Sequence, residues 1–188
     1  MNNNKKILKY TVFLVVLGLI AGVLLGAVNA LTSPIIEERA KEQVVGALRK
    51  EFDYADYSFG KKVDYPESSD AIQEIFFAFN EDGSLAAVIY QTAVPGYEKT
   101  GFVRCFVEIK VDGTFGKAKM ISHDDTPSFA DKIMDHDFGM ADQNVDSYSP
   151  VVAGVTPQFT LGAIIAGFDA AADHFKTIKA DLGGVTND

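Results

Sequence analysis

The sequence offers very little sulfur chemistry, because Cys105 is its only cysteine. One cysteine cannot form an internal disulfide, and the CxxC pairs typical of metal and redox sites are absent. Cys105 stands in an alternating apolar stretch, which predicts a buried and unreactive thiol. The hydrolase elbow, the P-loop and the dinucleotide fingerprint are also missing, so none of these motifs indicates the function.

Positive charge is scarce beyond the N-terminal segment. The chain has 17 lysines and arginines against 26 aspartates and glutamates, and three of the lysines precede residue 31. Residues 32–188 therefore keep 14 basic residues and have a formal charge of −12. Such an acidic surface argues against binding to nucleic acid or to anionic lipid headgroups.

A long apolar run is the most prominent feature that is present. The 19 residues from Val12 to Ala30 carry no charge, and as a helix they would cover roughly 28 Å, close to the thickness of a bilayer core. Lysines precede the run and acidic residues follow it, which predicts a cytoplasmic N-terminus. We therefore predict a lysine-rich tip and transmembrane anchor in residues 1–31 that contacts lipid through residues 10–31. Residues 32–188 would form an extracytoplasmic domain at the cell membrane.

A cleaved signal peptide is the alternative interpretation of this run. Val28-Asn29-Ala30 loosely fits a cleavage site for such a peptide. Gly18, Gly22 and Gly26 instead recur at four-residue spacing, which favours close helix contacts in lipid and hence an uncleaved anchor. Both interpretations place residues 32–188 outside the cytoplasm.

The rest of the chain predicts an α+β fold in which helices pack on an antiparallel sheet. Ser33-Pro34 is expected to open a helix that continues from the membrane span as a stalk and ends near Phe52. A loop with one short strand is expected over residues 53–69. Local turns, including Asp112-Gly113, then predict sequential pairing of four further strands: Ile72–Phe79, Leu85–Thr92, Phe102–Val111 and Lys117–Ser122.

Two helices are predicted after the sheet. A short one is expected over Ser128–Met134, followed by polar, irregular chain from Asp135 to Pro150. The last helix begins at Pro157 or Thr160, runs to about Phe175 and carries a continuous apolar stripe that should pack on the sheet.

Three loops are candidate ligand sites. Ala153-Gly154-Val155-Thr156-Pro157 precedes the last helix, where free N–H groups favour a phosphate and Thr156 adds a hydroxyl. The alternative is a simple cap, with Thr156 at the N-cap position and Pro157 after it. Thr126-Pro127 and the loop from Pro95 to Gly101, which contains Gly96 and Tyr97, either contact a ligand or serve only as turns.

A metal site is not expected. His123 adjoins Asp124 and Asp125, and His136 lies between two further aspartates. Adjacent residues rarely converge on one ion without ligands from another segment. No general acid, general base or nucleophile stands out either, so we assign no catalytic residue.

The order of these segments resembles the FMN-binding-domain family, which includes one subunit each of the Rnf ion-translocating ferredoxin:NAD oxidoreductase and of the sodium-pumping NADH:quinone oxidoreductase. The local match is strongest in the segment from Thr126 to Ile133. Here the family has Thr-Pro-Gly-hydrophobic-Gly-Asp-Lys-Ile, and this chain keeps the following residues: Thr126, Pro127, Asp131, Lys132 and Ile133.

The resemblance implies an FMN cofactor. Family members attach FMN through its phosphate to the threonine of a Ser-Gly-Ala-Thr motif, and Ala153-Gly154-Val155-Thr156 stands at that place. Thr156 is thus the implied attachment residue, with Gly154 and Val155 beside it and Thr160 as a rival. The flavin ring would lie against the loops Pro95–Gly101, which contains Gly96 and Tyr97, and Thr126–Ala130, which contains Pro127.

The implied function is that of an electron-transfer subunit in a membrane-bound, Rnf-type oxidoreductase complex. Its partners would be integral-membrane subunits and subunits carrying flavin or iron–sulfur centres. Ala153, Val155 and Ser128 depart from the family motifs, which leaves a second hypothesis: a flavin-free structural or assembly subunit of such a complex.

Overall fold

The computed structural model describes residues 3–60, 70–97 and 101–185. The chain divides into two compact units, Met1–Glu51 and Phe52–Asp188. The first is a helix, and the second combines a five-stranded antiparallel sheet with helices. The predicted α+β class is confirmed.

A single helix, α1 (Asn3–Glu51), forms the first unit. Pro34 lies inside α1, so Ser33-Pro34 does not open a separate helix, and the chain passes through this point without interruption. The hydroxyl of Thr32 donates a hydrogen bond to the carbonyl of Val28, at 2.9 Å, within the same stretch. The helix ends one residue before Phe52, where the apolar pattern predicted its end.

The segment Lys9–Pro34 of α1 is long and apolar enough to cross a membrane. Its large apolar side chains from Val12 to Leu31 are each 47–72% exposed. The core helix of a soluble domain would bury such side chains. A signal sequence near the N-terminus can also be this long and apolar, so both interpretations of this segment are retained.

The sheet of the second unit is a meander in which each strand pairs antiparallel with the next one along the chain. All four strands predicted beyond residue 70 are present, with ends that differ by a few residues, and a short strand precedes them. The strands are β1 (Asp56–Gly60), β2 (Ile72–Phe79), β3 (Leu85–Pro95), β4 (Phe102–Lys110) and β5 (Phe115–His123).

The short helix predicted after β5 is present as two consecutive turns. Helix α2 (Pro127–Ala130) is followed directly by a 3₁₀ turn at Asp131–Ile133. The chain from Asp135 to Pro150 has no further helix, as predicted, but it is anchored to the core. Phe138 is fully buried there and meets Phe168 edge-on, with 5.4 Å between ring centroids.

The last helix, α3 (Gln158–Ile178), covers one face of the sheet. Pro157 stands at its N-cap position with an extended ψ of 87°, so the helix begins at Gln158. The interpretation of Thr156 as the N-cap is therefore wrong by one residue. Buried apolar side chains follow the predicted stripe: Leu161, Ile164, Phe168, Ala171, Ala172 and Phe175.

The opposite face of the sheet is also partly buried, which the alternation of β4 did not predict. Phe106 and Glu108 of this face are 3% and 7% exposed. The Glu108 carboxylate accepts hydrogen bonds from the Tyr54 hydroxyl and from the Lys117 N–H, the latter at 2.7 Å. Burial, together with the hydrogen bond to Glu108, raises the pKa of Tyr54.

Gly167 allows α3 to approach β3 closely. A Cβ at this position would lie 2.6 Å from the hydroxyl oxygen of Thr92, a fully buried residue. Gly162, on the same helix, has open space at its Cβ position. Substitutions at the two glycines therefore distinguish the effect of helix propensity on stability from the effect of packing.

We expect Gly167→Ala to lower the free energy of unfolding by about 1–3 kcal/mol, because the added methyl group overpacks the contact between helix and sheet. Gly162→Ala is the matched control and should be stabilising by up to about 1 kcal/mol through helix propensity alone. Urea denaturation of the full chain in detergent measures both. Equal effects of the two substitutions would contradict the close approach.

Candidate functional site

A pocket of about 460 Å³ opens where three separate segments meet in the second unit. The segments are the end of β3, the turn between β5 and α2, and the start of α3. Its volume lies within the range typical of small-molecule sites. The lining residues are Tyr97, Asp125, Thr126, Phe129 and the run from Thr156 to Thr160.

Asp125 holds the three segments together. Its side chain is buried, at 8% exposure. The backbone N–H of Tyr97 donates to Oδ1 at 2.9 Å, and the hydroxyl of Thr160 donates to Oδ2 at 2.6 Å. Both oxygens accept, which is the pattern of an ionised carboxylate. Asp125 therefore ties the loop after β3 and the first turn of α3 to its own turn after β5.

Gly96 leaves the space that this carboxylate needs. A Cβ on Gly96 would overlap both carboxylate oxygens of Asp125. The Gly96 N–H also donates to the carbonyl of Gly101, at 3.1 Å, and this bond closes the base of the loop. The glycine is thus explained by close packing against Asp125 rather than by direct contact with a ligand.

Three aromatic side chains surround the pocket. Tyr97, Phe129 and Phe159 are 50%, 60% and 68% exposed. Tyr97 and Phe159 meet edge-on, with 5.4 Å between ring centroids. Aromatic rings left in solvent around a concavity provide apolar walls for a flat ligand.

The polar groups of the pocket are the Asp125 carboxylate, hydroxyls, an amide and the start of a helix. Thr126 and Thr156 line it, and Gln158 donates from Nε2 to the carbonyl of Val155 at 3.2 Å. No side-chain cap is bonded at the start of α3. The lining contains no lysine or arginine among the residues that the structure describes. The Lys132 ammonium does lie 5.7 Å from the centroid of the Phe129 ring.

The structure brings together four of the eight residues predicted for the site, namely Tyr97, Thr126, Thr156 and Thr160. Pro127 is the first residue of α2 and lies outside the lining. Gly154 has a φ of +81°, in a turn closed by a 3.2 Å bond from the Val155 N–H to the Val152 carbonyl. This φ lies in the left-handed region, which glycine adopts more readily than other residues, so the backbone conformation explains the glycine at this position.

Val155 also lies outside the pocket lining and belongs to the hydrophobic core. The structural role of Asp125 and the contributions of Gln158 and Phe159 to the lining were not predicted from the sequence, and Phe129 was included only as part of the loop Thr126–Ala130. The position of Asp125 directly before Thr126-Pro127 was a usable signal, because aspartate often bonds backbone N–H groups in turns. Nothing local indicated that Tyr97 and Thr160 would be its partners.

Both histidines that adjoin aspartates in the sequence make hydrogen bonds within the fold. His123 lies between two acceptors: Nδ1 is 3.1 Å from the Asp125 carbonyl, and Nε2 is 2.8 Å from Oδ1 of Asp131. His136 donates from Nε2 to the carbonyl of Val151 at 2.8 Å. Over residues 3–60, 70–97 and 101–185, no group of three or more His, Cys, Asp or Glu side chains is arranged to hold a metal ion.

Cys105 is buried, as the alternating pattern predicted. Burial raises the pKa of its thiol to about 12, and a contact with Thr92 opposes this only in part. At neutral pH the thiol stays protonated and is a poor nucleophile. Cys105 therefore takes no part in the chemistry of the pocket.

No family model and no curated protein matches this chain.

We expect Thr160→Val to lower the free energy of unfolding by about 1–3 kcal/mol, because it leaves one oxygen of the buried Asp125 carboxylate without its donor. Thr177→Val is the matched control on the same helix. The Thr177 hydroxyl bonds only the His174 carbonyl, at 2.7 Å, and its loss should cost under about 0.5 kcal/mol. Chemical denaturation measures the free energy of unfolding of both variants. A loss of stability in Thr160→Val as small as that in the control would contradict a stabilising hydrogen bond between Thr160 and Asp125.

Proposed function

We propose that this protein is an electron-transfer subunit that carries FMN in the pocket between Tyr97, Thr126 and Thr156. The observation that carries the proposal is the convergence of the three candidate loops on one cavity of about 460 Å³. The loops lie far apart along the chain, and each is a candidate ligand contact on the strength of its own residues. Their convergence supports one shared ligand.

The walls of the pocket suit the flavin ring. Exposed Tyr97, Phe129 and Phe159 offer flat apolar surfaces, and a planar tricyclic ring gains contact area against such side chains. A ligand bound between these rings would also remove part of their exposed apolar area from water.

The start of α3 suits the phosphate group. Its first N–H groups have no side-chain cap, and the helix dipole favours an anion near them. The Thr156 hydroxyl lines the same pocket and is the residue we propose for attachment of the phosphate as an ester. Thr160 is the less suitable residue, because its hydroxyl is already donated to Asp125 at 2.6 Å.

Bound FMN would supply one- and two-electron redox chemistry, while the chain supplies position, shielding and electrostatics. Asp125 fixes the Tyr97 loop against α3 through its two hydrogen bonds. The aromatic side chains exclude water from part of the ring. No proton transfer by the protein is required in this proposal.

The N-terminal helix supports a place in a membrane complex. Lys9–Pro34 would anchor the protein in the cell membrane, with the lysines on the cytoplasmic side and residues 52–188 outside the cytoplasm. We propose an Rnf-type oxidoreductase as the complex, with integral-membrane subunits and flavin or iron–sulfur subunits as partners. Electrons would enter and leave through those subunits.

A flavin-free structural or assembly subunit is the second candidate function. It is favoured by the Asp125 carboxylate, which places a negative charge in the pocket wall, and by the absence of lysine and arginine from the described lining. A phosphate is repelled by such a carboxylate. This function requires the same fold and anchor but no cofactor.

Flavin content separates the two functions. We expect the full chain, produced in its native host, to give a fluorescent band in a denaturing gel, because an ester bond survives denaturation. Thr156→Val should abolish the band, whereas Thr160→Val and the control Thr177→Val should retain it. A colourless protein that still co-purifies with membrane subunits would establish the second function instead.

Reporter fusions test the membrane orientation. We expect alkaline phosphatase fused after residue 188 to be active and a fused green fluorescent protein to stay dark, because only the former matures outside the cytoplasm. Replacing Lys5, Lys6 and Lys9 by Gln should weaken this preference, since those charges set the orientation. The intact mass of the chain distinguishes an uncleaved anchor from a product cut near Ala30, and the opposite reporter pattern would contradict the orientation.

A further inference from the structure

The pocket wall carries a negative charge on the Asp125 carboxylate, which has a further consequence for the ligand. Asp125 is one of the lining residues, and its side chain is 8% exposed. Donors to both oxygens hold it in place: the Tyr97 N–H at 2.9 Å and the Thr160 hydroxyl at 2.6 Å. Neither donor carries a charge, so these bonds orient the carboxylate without neutralising it.

No cation in the described lining offsets this charge. The Lys132 ammonium lies 5.7 Å from the centroid of the Phe129 ring, outside the lining. His123 is bound to the carboxylate of Asp131 at 2.8 Å, and its contact with Asp125 is to the backbone carbonyl. Arg104 is paired with Asp124, at 3.3 Å. A ligand in the pocket therefore meets a carboxylate in a partly desolvated wall, where Coulomb interactions are stronger than in water.

We propose that Asp125 is the specificity-determining residue of this pocket, and that its carboxylate selects against negative charge on the bound ligand. The inference rests on the proposed flavin site and refines it. Neutral flavin groups are accommodated, whereas a free phosphate monoester, with close to two negative charges at pH 7, is disfavoured. Esterification of that phosphate to Thr156 leaves only one charge, which reduces the repulsion.

The test compares two probes that differ by one phosphate group, riboflavin and FMN. The full chain is produced in a host without a flavin transferase, so that no flavin is attached, and is titrated in detergent by flavin fluorescence. Asp125→Asn removes the charge and keeps the size of the side chain. We expect it to raise the affinity for FMN relative to riboflavin by at least about threefold.

Thr160→Val is the matched control, because it removes a hydrogen bond to the same carboxylate and keeps the charge. This variant should weaken the binding of riboflavin and of FMN by a similar factor, so the ratio of the two affinities should stay unchanged. Asp125→Ser serves as a second charge-removing variant if Asp125→Asn does not fold, as judged by circular dichroism. An unchanged ratio in the folded charge-removing variant would overturn the inference.

Failure of the flavin site itself gives a different result. If the folded wild-type chain binds neither riboflavin nor FMN, the proposed function and this inference are both overturned. If both probes bind but Asp125 does not affect their ratio, only the inference is overturned. The proposed function and the inference are both supported if Asp125→Asn raises the ratio of FMN affinity to riboflavin affinity while Thr160→Val leaves this ratio at the wild-type value.

Discussion

The buried carboxylate of Asp125 is the interaction on which the candidate site depends. Its two oxygens reach a backbone N–H after β3 and a hydroxyl in the first turn of α3. These groups come from residues 97 and 160, so the pocket is assembled from distant parts of the chain. The opposing glycine, Gly96, has no side chain because the carboxylate fills that volume. A single buried charge thus determines the shape of the cavity as well as its electrostatic character.

The position of α3 is the second constraint on the site. Gly167 brings α3 close to Thr92 of β3. The aromatic contact between Phe138 and Phe168 attaches the polar segment before α3 to this helix. Because the pocket is lined by the first residues of α3, the packing of the helix centre sets where Thr156 and Phe159 lie. Stability of the core and geometry of the site are therefore linked through one rigid element.

Much of the fold could be predicted from local patterns. The strands from Ile72 to His123 followed from alternation and from turn residues such as Asp112-Gly113, and α3 followed from its apolar stripe. The burial of Glu108 could not be predicted, because its partner Tyr54 is 54 residues away along the chain. The same reason applies to Asp125, whose role depends on tertiary contacts. Four residues of the candidate pocket were predicted from the loop chemistry and the family resemblance, whereas Phe159 gave no local signal of a pocket.

The order of the strands has a consequence for how the sheet can form during synthesis. Each strand pairs with its immediate predecessor along the chain, so every hairpin can close as soon as its second strand is available. The strands become available in that order as the chain is synthesised. The sheet can then grow one strand at a time, and α3, which follows β5 along the chain, covers one apolar face once the strands are paired.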